Sequence, residues 1–167
     1  IEAHQPEVKP SEKPPMPIDW EARDADALAR VVATMPTLWS HNGRPRRITE
    51  TGIGRGVGSG GETFRRHLAH MPRTRAYVAL VVESLEDVAR RRLAWAALEF
   101  AERGRAATLS DLVRRAHLGG ADHVALRATA VPAVVEALRS HIFEGAALPE
   151  EWKRSLSPPP VEPVPAA

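Results

Sequence analysis

Eight arginines fall between residues 44 and 75: Arg44, Arg46, Arg47, Arg55, Arg65, Arg66, Arg73 and Arg75. Only Glu50 and Glu62 oppose them. The block therefore carries +6 in a chain whose formal charge is +2. Every basic residue in it is arginine. A guanidinium is a planar fork of N–H donors that pairs bidentately with phosphate and with guanine edges, which a lysine ammonium does poorly. A solvated face would interleave both signs. Phosphate and nucleic-acid contact is the chemistry expected here. A second set of donors, Arg114, Arg115, His117 and Arg127, follows in the C-terminal half.

Other chemistries find less support. The chain has no cysteine, which removes disulfides, Cys-ligated zinc and thiol catalysis. No Ser/His/Asp set or close carboxylate pair is recognisable, so no catalytic residue is assigned and no enzyme is expected. His67 and His70 have an i, i+3 spacing that could support a metal, but no local carboxylate or cysteine completes a set. No metal is expected. Residues 56–61 formally match G-x-G-x-x-G, with Glu83 22 residues on from Gly61. A dinucleotide site needs a buried strand before the glycines and a βαβ unit after them. The preceding PRRITETGI is too charged for that strand, and no cofactor is expected.

These donors must be positioned by helices, because no segment has strand period. Asp19 can cap a helix from Trp20, with an apolar face that Asp24 interrupts, and Pro36 is expected to end it. Thr49 can cap a short second helix. Gly52, Gly54 and Gly56 weaken that helix, leaving open a loop that orders only on DNA. After a turn at residues 59–61, residues 62–71 read as a third helix, with Phe64, Leu68 and Met71 on one face. Thr74 can open a fourth.

Ser84 with Asp87, and Thr108 with Asp111, have capping-box spacing. Residues 85–103 are the firmest helix, closed by Gly104. There Arg90, Arg91 and Arg92 read as a solvated, salt-bridged face, and Trp39, Trp95 and Trp152 as core or rim. A short helix follows Thr108, then a Gly119–Gly120 turn, a short helix over 121–130, and a last one in which Pro132 occupies the first turn.

The fold class is therefore all-α. Two places fit a tandem helix-turn-helix arrangement: residues 46–71, and residues 108–130 followed by a supporting helix, the latter the cleaner pattern. Proline placement sets the boundaries. Five of 15 prolines lie in residues 1–17 and five in 158–167. The expected organisation is a Pro-rich linker at 1–18, a first module at 19–103, a second at 104–156 and a Pro-rich tail at 157–167. No apolar run reaches the ~20 residues of a membrane span. Starting at Ile1, the chain reads as a fragment of a larger soluble, intracellular protein.

The ordered words DWEARDADALARVVA, RPRRITETGIGR and HLAHMPRTRAYVALVVESLEDVARRRLAWAALEF carry a resemblance. They are similar to the C-terminal region of TnsD-type target-selector proteins (the TniQ/TnsD family) of transposons of the Tn-seven kind. The matching positions are Asp19, Trp20, Arg23 and Asp24; Pro45, Arg47, Ile48 and Thr49; Leu68, Met71, Pro72 and Thr74; and Glu83, Ser84, Glu86, Asp87, Arg91 and Arg92. The resemblance covers about 19–103 and continues more weakly to about 142.

It implies sequence-specific binding to double-stranded DNA at an attachment site, and recruitment of an AAA+ transposition regulator (TnsC-like). In the family a zinc-containing TniQ-like N-terminal part makes most regulator contacts, and this chain lacks the cysteines for it. It looks like the DNA-reading half, expected in the bacterial cytoplasm at the nucleoid. The departure is the glycine density at 52–61. The expected DNA contacts are Arg44, Arg46, Arg47, Thr49, Arg55, Arg65, Arg66, His67, Arg73, Thr74, Arg75, Arg114, Arg115, His117 and Arg127. The competing expectations are a helical adaptor that uses its arginines on an acidic protein, and an enzyme that holds a nucleotide in its glycine loop.

Overall fold

A computed structural model describes residues 17–39 and 43–161. The outer parts of both Pro-rich segments, residues 1–16 and 162–167, lie outside the described residues. The fold is all-α, with no strand among the described residues: α1 Trp20–Trp39, α2 Glu50–Gly56, α3 Gly61–His67, α4 Pro72–Val81, α5 Leu85–Glu102, α6 Leu109–Ala116, α7 Val124–Glu144 and α8 Glu150–Ser155. Short 3-10 turns at Leu68–His70 and Ala121–His123 extend the end of α3 and precede α7.

The helix starts follow local chemistry. Asp19 Oδ1 accepts from the Ala22 amide at 3.0 Å. Thr49 caps α2 by accepting from the Gly52 amide. Ser84 with Asp87 and Thr108 with Asp111 both form full capping boxes. Each such cap satisfies amides that the helix cannot pair itself, and is worth about 1 kcal/mol.

Three boundaries differ from the sequence expectation. α1 does not stop at Pro36 but runs to Trp39. The proline costs one amide donor near the helix end. Met35 and Trp39, both buried, hold the last turn against the core. The expected short helices around Pro132 are one helix, α7, with Pro132 inside it. Leu126, Val131, Val134 and Leu138 are buried along it, and that continuous apolar face carries the helix past the missing donor. α4 starts at Pro72, the first-turn position a proline favours, so Thr74 lies inside the helix and does not open it.

The core has two parts. One gathers Leu28, Val31, Met35, Ile53, Phe64 and Val78 with their neighbours, from α1 to α4. The other gathers Leu93, Leu112, Leu118, Val131, Leu138 and Trp152, from α5 to α8. The division falls near residues 82–88, and α5 contributes Ala89, Leu93, Ala94, Ala96 and Ala97 to the second core. Full burial of such side chains is worth about 1.5–3 kcal/mol each. The end of α8 and the start of the C-terminal Pro-rich segment pack back on the first half. Trp39 Nε1 donates to the Ser155 carbonyl at 3.0 Å, and the Tyr77 hydroxyl to that of Pro159 at 3.4 Å.

Candidate nucleic-acid interface

α2 and α3 form a tight helix pair joined by the four residues 57–60. Glycines make the close approach. A Cβ on Gly54 would lie 2.6 Å from Phe64 Cβ and 3.1 Å from the Gly60 carbonyl oxygen. A Cβ on Gly61 would lie 2.4 Å from Thr51 Cγ2. Such separations are too short for real side chains, so the helix runs through this stretch because its glycines let the two backbones meet. Gly58 and Gly60 take positive φ in the turn, a conformation glycine adopts without steric cost. The segment is helix and turn, not a loop, and the turn occupies 57–60 rather than 59–61.

Gly61 and Phe64 face inward on α3, while Arg65 and Arg66 are exposed. Arg44, Arg46, Arg47, Arg55, Arg73 and Arg75 are exposed as well. Arg47 Nε donates to the Glu83 carbonyl at 2.8 Å, and Arg65 lies 3.6 Å from Glu62. The other six make no side-chain hydrogen bond or salt bridge among the described residues. Their guanidinium groups are available to an outside ligand.

Three expected contacts in this half serve the fold instead. Thr74 is fully buried. Its hydroxyl donates to Asp24 Oδ1 at 2.6 Å, and the Thr74 and Arg73 amides donate to the same carboxylate at 2.9 Å. Asp24, which breaks the apolar stripe of α1, is thus a cap supplied across the core to the start of α4. Burial pushes the Asp24 carboxyl up. The Thr74 hydroxyl and amide, the Arg73 amide and the Arg73 charge outweigh it and hold the group below the usual aspartate range. His67 is half-buried, with its ring edge-on to Trp20 at 5.5 Å, and His70 stacks on the same indole at 4.5 Å. Both histidines pack on one tryptophan, and His67 is a packing residue. Thr49 is half-buried, with its side-chain oxygen accepting from the α2 backbone.

The segment 45–48, between α1 and α2, is pinned from behind by a buried ion pair that the sequence did not disclose. Arg91 and Glu83 are 2% and 5% exposed. Arg91 Nε and one terminal nitrogen each donate to Glu83 at 2.7 Å. The same arginine donates to the carbonyls of Trp39 and Arg46 and lies 4.5 Å over the Trp39 ring. Glu83 accepts from the Ile48 amide at 2.8 Å, and Arg92 Nε donates to the Pro45 carbonyl at 2.9 Å.

The solvated-face expectation holds for Arg90, which pairs with Glu86 on the surface, but not for buried Arg91 or for half-buried Arg92, which donates to a backbone carbonyl. Burial, with the nearby Arg44 and Arg91 charges, lowers Arg92 below the usual arginine range.

No family model, no curated protein and no solved structure matches the chain.

The second helix pair, α6 and α7, is joined by seven residues, 117–123, which include the 3-10 turn at Ala121–His123, and its arginines are spoken for. Arg115 forms a two-bond fork with Glu99 at 2.7 Å and lies 4.6 Å over Trp95. Arg114 pairs with Asp111 at 2.9 Å. Arg127 Nη1 donates to the Leu118 and Gly120 carbonyls at 2.6 Å, which locks the turn. His117 takes a left-handed conformation at the end of α6, with φ 57. Exposed side chains at the start of α7 include Val124, Ala125 and Ala128, which offer no donors. Arg127 is therefore a turn lock and not a free base-reading donor. Arg115 contacts an outside ligand only by sharing or releasing Glu99.

Proposed function

We propose that this chain is a sequence-specific double-stranded DNA-binding protein in which α2, the 57–60 turn and α3 form the docking unit. The observation that carries the reading is the glycine-closed helix pair that leaves Arg55 and Arg66 exposed and unpaired, with Arg44, Arg46, Arg73 and Arg75 likewise exposed and without a side-chain hydrogen bond or salt bridge. In such a unit the second helix enters the major groove and the flanking donors hold phosphates. Phosphate contacts set position; base-edge contacts set sequence.

On α3, Arg66 lies about 200° around the helix from buried Phe64, and Arg65 about 100°. Arg66 is therefore the side chain best placed for a base edge, and Arg65 the flank. The likeness to TnsD-type selectors supplies the biological role. The chain would recognise a transposon's attachment site, with recruitment of a TnsC-like AAA+ regulator involving a TniQ-like part of the same protein.

Selection of bound fragments from a pool of genomic duplexes, followed by sequencing, tests this. One recovered site whose binding survives excess competitor DNA supports the reading. Capture of an acidic protein with no duplex selected would favour the adaptor alternative. Arg66→Ala should lower binding to the recovered site by about 1–3 kcal/mol of discrimination. Equal loss on random duplex would make Arg66 a phosphate anchor.

A further inference from the structure

The arginines of the second half that do not read bases converge elsewhere. Arg103, Arg105, Arg114, Arg115 and His117 line one open pocket between the end of α5 and α6, together with Asp111. Arg103 and Arg105 were not among the donors expected from the sequence. Four guanidinium groups there face two carboxylates, Glu99 and Asp111. Glu99 is shared by Arg103 and Arg115, and Asp111 pairs with Arg114. Two positive charges are left over.

Arginines in the last turn of a helix can merely complement its dipole, which accounts for Arg114 and Arg115 on α6. It does not account for Arg105. That residue lies outside any helix, is exposed, and its side chain has no hydrogen bond or salt bridge among the described residues. Arg115, gripped by Glu99 and stacked on Trp95, is a rigid wall rather than a mobile surface chain. His117 is the only non-glycine residue with positive φ among the described residues. It stands where glycine is the usual choice. The departure from glycine puts an imidazole on the lining of this pocket.

We propose that this pocket binds a phosphate group, and that its occupant is a backbone phosphate of the bound duplex. The second half would then anchor the DNA without reading it. The proposal rests on the DNA reading above, and the test separates the two. Arg105→Ala/Arg114→Ala alters two exposed side chains and should leave the melting temperature within a few degrees of wild type. Each lost phosphate contact removes ~0.9 from the slope of log K against log salt, roughly eightfold in affinity at 0.1 M salt.

The double variant loses that one contact and should therefore bind duplex roughly eightfold more weakly, with the slope reduced by about 0.9 and its preference among sequences unchanged. If wild type binds duplex and the variant matches it in affinity and slope, the pocket proposal is overturned and the DNA reading stands. If wild type binds no duplex, the DNA reading fails, and with it the duplex as occupant. A titration with pyrophosphate, read by the arginine Nε–Hε resonances, then decides the pocket itself. Shifts at Arg105 and Arg114 that the double variant abolishes keep it as a site for a free phosphorylated ligand. No shift overturns it.

Discussion

The two helix pairs share a plan and differ in what their residues are free to do. In α2–α3, glycine is required: Gly54 and Gly61 sit where any side chain would strike the neighbouring helix. Six of the eight arginines around them, all but Arg47 and Arg65, make no side-chain hydrogen bond or salt bridge among the described residues. In α6–α7, an added Cβ on Gly119 or Gly120 would meet open space, and the left-handed turn residue is His117. There the arginines are tied to Glu99, Asp111 and turn carbonyls. The pattern that looked cleaner in sequence is the one whose donors are committed to the fold. Spacing announces a pair of short helices, but the ion-pair partners decide whether its arginines are free for an outside ligand.

The largest effect should come from the support behind the first unit. Arg91→Ala leaves Glu83 buried without its partner and should cost about 3–5 kcal/mol in denaturant unfolding. A loss below ~1 kcal/mol would show that the pair does not brace the 45–48 segment. Asp24→Asn should cost about 1.5–3 kcal/mol, because three donors lose a charged acceptor. The Asp24 pKa is depressed in the fold, so its stabilisation is present above the usual aspartate range and fades as pH falls through the folded value. The variant should therefore lose less stability than wild type on acidification below about pH 4. Parallel acid limbs would contradict the cross-core cap.

The glycine contrast is tested by one substitution in each unit. Gly54→Ala should destabilise by about 1–3 kcal/mol, since overpacking against Phe64 and the 60–61 backbone exceeds the ~1 kcal/mol of helix propensity gained. Gly119→Ala should stay within ~0.5 kcal/mol of wild type. Equal effects in thermal melts would erase the difference drawn between the two turns. Smallest of all, Arg66→Ala should move stability by less than ~0.5 kcal/mol while it weakens duplex binding. A sharp fall in melting temperature would make Arg66 structural.

Local signals were legible in the sequence. The capping boxes at Ser84 and Thr108, the Thr49 cap and the Gly104 stop all act over a few residues, and all stand as read. What tertiary contacts decide was not legible. Pro36 and Pro132 looked like boundaries because propensity is local, but buried neighbours carried both helices through. Asp24 looked like a flaw in an apolar stripe because its partners, Arg73 and Thr74, lie some 50 residues away. Arg91 sat in a run of three arginines, and nothing local told it from Arg90. Its partner is only eight residues away, but Trp39 and Arg46, which complete its shell, are 52 and 45 away. Within the candidate interface the arginine block was found by composition. The roles of Thr74, His67 and Arg127 as structural residues needed the packed chain.

The central claim is that unpaired arginines of the first half neutralise duplex phosphates. The most direct test is duplex affinity of the wild-type protein across a range of salt concentrations. With Arg66 on a base edge, the other five unpaired and exposed arginines engaging phosphates predict a slope of log K against log salt of about −4.5, at ~0.9 per phosphate on B-DNA. Affinity would then fall by between about four and five orders of magnitude per decade of salt. A slope near zero, with binding retained, would contradict the account.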